Sequence, residues 1–136
     1  MKIKHIMIVD DSPSDLDLIA DVLNSSVDLT LCGDGEQALQ TLKHGTLPDL
    51  IILDLHMPKV SGFEVLDYVK TNPGLEHIPM IVFADPTSSD NIRRSYELRA
   101  SAFLTKPLDL HEFVTCIRSL KGFWVDWVTP YPDQGQ

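Results

Sequence analysis

Apolar residues along the chain fall into two alternating patterns. Short continuous runs, Ile6–Val9, Leu50–Leu53 and Met80–Ala84, carry no polar interruption, as expected of strands covered on both faces. Leu29–Cys32 and Ala102–Leu104 are two further short apolar runs. Between them apolar residues recur at helical spacing: Leu16, Ile19, Ala20 and Leu23, and later Leu110, Phe113, Val114 and Ile117. Leu39 and Leu42 mark a shorter helix, and Phe63, Leu66 and Val69 another. The segment DNIRRSYEL after Ser89 has only Ile92, Tyr96 and Leu98 on its apolar side and reads as an exposed helix.

Helix starts are marked by side chains able to accept the first free N–H groups. Ser12-Pro13-Ser14-Asp15 offers a capping serine, a proline at the first helical position and an acid in the first turn. Asp34…Gln37, Ser61…Glu64 and Asp109…Glu112 repeat the cap-and-return spacing. Strands alternating with helices imply a parallel sheet with right-handed crossovers. The expected fold is α/β: a (βα)5 doubly wound, flavodoxin-like domain with a parallel five-stranded sheet and helices on both faces. It should occupy residues 1–121, with an aromatic tail, 122–136, containing Trp124 and Trp127 and no output domain.

Composition narrows the function. The 136 residues suit one domain, and 20 acids against 11 bases give a net charge of −9, which disfavours nucleic acid and anionic membranes. No signal-peptide pattern opens the chain, and no stretch nears the roughly 20 apolar residues of a membrane span. Cys32 and Cys116 form no CxxC pair and read as reduced core thiols. A cytoplasmic location is expected.

In an open parallel sheet, ligands bind at the carboxyl ends of the strands. There stand Asp10 and Asp11 after the first strand, Asp54 after the third, Ala84 and Asp85 after the fourth, and Lys106 in FLTKP after the fifth. Each alone has an ordinary explanation as a helix cap or turn residue; their coincidence at adjacent strand ends does not. Clustered carboxylates repel one another unless some protonate or a cation joins them. An all-oxygen set suits Mg²⁺, and no Cys/His set suits zinc. A carboxylate beside a divalent cation and a lysine can attack phosphorus to give an acyl phosphate. Asp54 is then the candidate acceptor and Lys106 its counter-ion.

The stretches IMIVDDSPSD, PDLIILDLHMPKVSGFEVL, IPMIVF and SAFLTKPLDLHEF resemble the receiver domain of two-component response regulators, over residues 4 to about 120. The DD pair, the D-x-x-M-P-x-x-x-G loop and the K-P dipeptide occur in order, and Asp54 and Lys106 lie 52 residues apart, as in the family. The resemblance implies that Asp54 is the phosphoacceptor. It implies that Asp11 ligates Mg²⁺ directly, with Asp10 beside it, often through water, and that the backbone carbonyl of His56 completes the protein ligands. Lys106 would bind phosphoryl oxygens, with a cis bond to Pro107, and Pro58 and Gly62 would shape the loop after Asp54. Phe103 takes the place of the aromatic switch residue. Ala84 departs from the family, which has Thr or Ser there with a hydroxyl for the phosphoryl group. Arg99 stands where glycine is usual, which implies only that its backbone tolerates a side chain.

The implied function is that of a stand-alone, chemotaxis-regulator-like receiver. It would accept a phosphoryl group from a sensor histidine kinase or phosphotransfer protein and signal to a downstream protein partner. It would not be an enzyme beyond acyl-phosphate transfer and autodephosphorylation. The "FW…P" ending resembles single-domain regulators paired with bacterial phytochrome kinases. A homodimer through the fourth helix, fifth strand, fifth helix or tail is a further expectation. Two rivals stand beside this reading: a phosphorylation-independent adaptor, which Ala84 favours, and a flavodoxin-like cofactor-binding enzyme. The second lacks the Ser/Thr/Gly-rich phosphate loop after the first strand, where Asp-Asp-Ser-Pro stands.

Overall fold

The structure, a computed structural model, describes residues 1–132; positions 133–136 of the expected tail lie outside the described residues. Five strands and five helices alternate: β1 (His5–Val9), α1 (Pro13–Leu23), β2 (Asp28–Cys32), α2 (Gly35–His44), β3 (Leu50–Leu53), α3 (Gly62–Lys70), β4 (Met80–Ala84), α4 (Ser89–Glu97), β5 (Ala102–Thr105) and α5 (Leu110–Leu120). All strand pairings are parallel, in the order β2-β1-β3-β4-β5. The chain runs outward from β1 to β2 and then to β3 on the other side, so the topological switch lies between β1 and β3.

Because successive side chains of a strand point to opposite faces, each buried strand feeds two cores. Met7, Val9, Ile51, Leu53, Met80, Val82 and Ala84 face Ala38, Leu42, Phe63, Leu66 and Val69 of α2 and α3. Ile6, Ile8, Leu50, Ile52, Ile81 and Phe83 face Ile19 and Leu23 of α1 and Phe113, Ile117 and Leu120 of α5. Both thiols are free: Cys32 belongs to the first core, and Cys116 packs against the second.

The expected caps are made. Ser12, Asp34, Ser61 and Asp109 each accept from the backbone N–H three residues on. Ser88 does the same for α4 through Asn91 N–H. Arg99 is more than a tolerated substitution: its φ is 72°, the left-handed region that favours glycine. Its guanidinium donates to the carbonyl of Lys70 at the end of α3, a contact glycine would lack.

Beyond α5 the chain continues as one π-helical turn, Lys121–Val125. Val125 is buried in the α1–α5 core, with Trp124 and Val128 packed against it. Trp127 is 80% exposed and Phe123 59%. The chain then passes the amino ends of the strands, where Lys2 Nζ donates to the Asp126 carbonyl at 2.6 Å. Tyr131 stacks on His77, ring centroids 4.0 Å apart. Replacing Trp124 with Ala should therefore destabilise the fold by about 1–3 kcal/mol, and Trp127→Ala by less than about 0.5 kcal/mol. Urea denaturation of the two variants checks this; equal losses would mean that the tail does not seat Trp124 in preference to Trp127.

Candidate functional site

Strand register gathers the site. Val9 pairs with Leu53, so the next residues, Asp10 and Asp54, emerge side by side from β1 and β3. The Asp54 N–H donates to the Val9 carbonyl at 2.9 Å, and the Lys106 N–H to the Ala84 carbonyl at 2.7 Å. Behind Asp54 the loop closes on Gly62, whose N–H donates to the Leu55 carbonyl at 2.8 Å. A Cβ at position 62 would press on the Asp54 carbonyl and lie 2.7 Å from the Leu55 Cα. Only glycine fits there without moving the backbone at Asp54 and Leu55.

Asp10, Asp11 and Asp54 each present a carboxylate oxygen within 4.8 Å of the others. Asp10 and Asp54 are buried, whereas Asp11 is exposed. Asp54 Oδ1 accepts the Leu55 N–H at 2.9 Å, and Asp10 Oδ1 accepts the Ser12 N–H at 2.9 Å. Lys106, only 4% exposed, donates to Asp10 Oδ2 at 2.7 Å and Asp15 Oδ2 at 2.9 Å. Asp54 acts on Lys106 through space only. The Lys106–Pro107 bond is trans, since the described residues contain no cis peptide. This corrects the cis form implied by the resemblance; trans is the lower-energy isomer by about 0.5–1 kcal/mol unless packing selects cis.

Electrostatics follow from this crowding. Burial pushes the Asp54 carboxyl up to about 7, against Lys106, which lowers it, and with Asp10 and Asp11, which raise it. Burial also raises Asp10, despite its bond to Lys106. For Lys106, burial acts downward, but its bonds to Asp10 and Asp15 and the charges of Asp10 and Asp54 hold it well above the usual lysine value. The all-oxygen donor set and the excess of carboxylate charge fit a small hard cation such as Mg²⁺.

Ala84 is fully buried and offers only its carbonyl. Phe103, on β5, is half-buried and packs against the core cluster that contains Ala84. Its N–H donates to the Tyr96 hydroxyl at 3.1 Å. The nearby Thr87 hydroxyl is engaged elsewhere: His56 Nε2 lies 3.1 Å from it and Asn91 Nδ2 donates to it at 2.8 Å. Asp15 went unrecognised as a site residue in the sequence. It reads there as a first-turn helix acid, and no local signal marks it as facing the same pocket.

Comparison with known proteins agrees with this geometry. Residues 6–118 match the family model of the response regulator receiver domain, and the chain belongs to that family. It is 35% identical over 135 residues to response regulator Rcp1 of Synechocystis sp., covering 93% of this chain and 92% of Rcp1. The Mn²⁺-bound structure of Rcp1 superposes with a TM-score of 0.90 at 34% identity, over 95% of this chain and 99% of that one. The phosphorylated cyanobacterial phytochrome response regulator RcpA gives a TM-score of 0.90 at 31% identity over the same shares. The chain is thus a signalling receiver of two-component systems, and the flavodoxin-like enzyme reading gives way. No helix of the described residues is long and apolar enough to cross a membrane.

The pH dependence of stability follows from Asp54. In the unfolded chain its carboxyl ionises near 3.8, in the fold near 7, so between those values the folded state holds the extra proton. Stability of the metal-free protein should therefore fall as pH rises from about 4 to about 7, by at most about 4 kcal/mol from this group. The raised Asp10 adds to the fall. Asp54→Asn should flatten most of the slope and exceed the wild type in stability at pH 8. Urea midpoints across that range provide the check, and an equal slope in the variant would assign the effect to other groups.

Proposed function

We propose that the chain accepts a phosphoryl group on Asp54 from the phosphohistidine of a sensor histidine kinase or phosphotransfer protein, and reports its state by binding another protein. The observation that carries this reading is the placement of Asp54: a buried carboxylate at the end of β3, flanked by Asp10, Asp11 and the cationic end of Lys106. Asp10, Asp11, Asp54 and the backbone carbonyl of His56 would hold Mg²⁺. When bound, the ion would neutralise carboxylate repulsion and charge on the transferred group. Asp54 Oδ1 is occupied by the Leu55 N–H, which leaves Oδ2 to attack phosphorus. A bond from Oδ2 to phosphorus forms as the bond to the donor's imidazole nitrogen breaks. Lys106 stabilises the charge on the phosphoryl oxygens, and water later hydrolyses the acyl phosphate and restores the carboxylate.

The output is a protein contact, with a downstream partner or a second copy of the chain, through α4, β5, α5 or the tail. Tyr96, Leu110, Phe123 and Trp127 on those elements are exposed, which supports that choice of face. Residues 1–121 serve as the receiver proper and 122–136 as its accessory tail, in a cytoplasmic setting. Incubation with acetyl phosphate and Mg²⁺ should add the mass of one phosphoryl group to the intact protein, and Asp54→Asn should abolish the addition while keeping the fold. A full adduct on Asp54→Asn would sink the assignment.

The buried Ala84 favours a second reading, an adaptor that acts without phosphorylation. Wild type that takes no phosphoryl group under those conditions would establish it. If the group is accepted, the missing hydroxyl should weaken the conformational response. A hydrogen bond to a charged acceptor is worth roughly 1.5–3 kcal/mol, about one to two orders of magnitude in coupling. Ala84→Thr should increase the backbone chemical-shift response to beryllofluoride, at a packing cost of about 1–3 kcal/mol in this fully buried position. An equally large response in the wild type would mean that another donor supplies the contact.

A further inference from the structure

Lys106 is held by more than the acids of the proposed phosphorylation site. An ammonium has three N–H donors. One goes to Asp10 Oδ2 at 2.7 Å and another to Asp15 Oδ2 at 2.9 Å, in the first turn of α1. Asp15 cannot move far: its N–H donates to the capping Ser12 hydroxyl at 3.3 Å, and α1 packs on α5 through the shared core. The lysine backbone is fixed as well, by the bond of its N–H to the Ala84 carbonyl. Asp15, Lys106 and Asp85 line one cavity of about 250 Å³. At the end of β4, Ala84 has no side-chain donor, and the Thr87 hydroxyl is engaged by His56 and Asn91. Lys106 is therefore the side-chain cation that a phosphoryl group on Asp54 would have to recruit, and two of its three donors are committed.

We propose that Asp15 is a positioning residue that competes with the phosphoryl group for Lys106. In the resting protein Asp15 draws the ammonium toward α1. A phosphoryl group on Asp54 takes one of its N–H donors, and the Asp15–Lys106 bond weakens or opens. The strength of that ion pair then sets how readily the phosphorylated arrangement forms. This inference rests on Asp54 being the phosphoacceptor.

The test is the affinity for beryllofluoride in saturating Mg²⁺, followed by backbone chemical shifts. Three proteins are compared: wild type, Asp15→Asn, and Asp85→Asn as a charge control. Asp85 lines the same cavity but makes no ion pair with Lys106. Asp15 is 29% exposed and Lys106 4%, so the pair stands between the exposed and buried limits. Asp15→Asn should bind the mimic about three- to tenfold more tightly, with little change for Asp85→Asn. Asp15→Ala should reproduce the gain, which guards against a special effect of the amide. Equal gains in Asp15→Asn and Asp85→Asn would reduce the effect to general charge and overturn the proposal. Unchanged or weaker binding by Asp15→Asn would overturn it too, and would leave the role of Asp54 standing. A wild type that binds no mimic would instead remove the phosphoacceptor reading, and the role of Asp15 with it.

Discussion

The ion pair between Lys106 and Asp10 is the interaction around which the site is organised. Both side chains are almost fully buried, at 4% and 2% exposure, and neither would be tolerated there alone. Removing one partner from such a pair costs about 3–5 kcal/mol, because the other charge is left uncompensated. The pair spans the sheet from the end of β1 to the end of β5, across β3 and β4. It anchors the rim of the sheet at the place where Asp54 emerges. Asp54 has no such direct partner, and burial pushes its carboxyl up to about 7. One buried acid is neutralised by a bond, and its neighbour is left short of positive charge. That imbalance leaves an excess of negative charge at the strand ends, which a small hard cation would offset.

Most of the fold was legible in the sequence because two local signals agreed. Continuous apolar runs specify strands buried on both faces, and the three such runs lie in the central strands β1, β3 and β4; Leu29–Cys32 and Ala102–Leu104 lie in the partly exposed edge strands β2 and β5. Capping side chains specify where the helices begin, and Ser12, Asp34, Ser61 and Asp109 all act as read. What escaped depends on three-dimensional contact. Asp15 has the spacing and type of a helix-start acid, and nothing local shows that a lysine 91 residues away meets it. The φ of Arg99 is a backbone property that its side chain does not announce. The π-helical turn after Leu120 has no composition signal, although the aromatic density of the tail does mark residues that pack.

The same distinction runs through the strand-end residues. Asp10, Asp11, Asp54 and Lys106 converge because parallel register brings the residue after each strand to the same edge. That much follows from topology. Whether Ala84 has a substitute is a matter of individual hydrogen bonds. The Thr87 hydroxyl is near enough in sequence to seem a candidate, yet it is tied to His56 and Asn91. Phe103 packs on the cluster that includes Ala84, where a larger residue at position 84 would compete for space.

Gly62 has a consequence of its own. The first residue of α3 touches the carbonyl under Asp54 and the Leu55 Cα through bare backbone, with no side chain between them. Close-packed atoms in hard contact displace one another instead of compressing. The Asp54–Leu55 segment and the first turn of α3 therefore form a single mechanical unit, built without any side chain that substitution could soften. Surrounding residues are free to drift while that joint stays the same, and the constraint falls on one position that admits hydrogen and nothing larger.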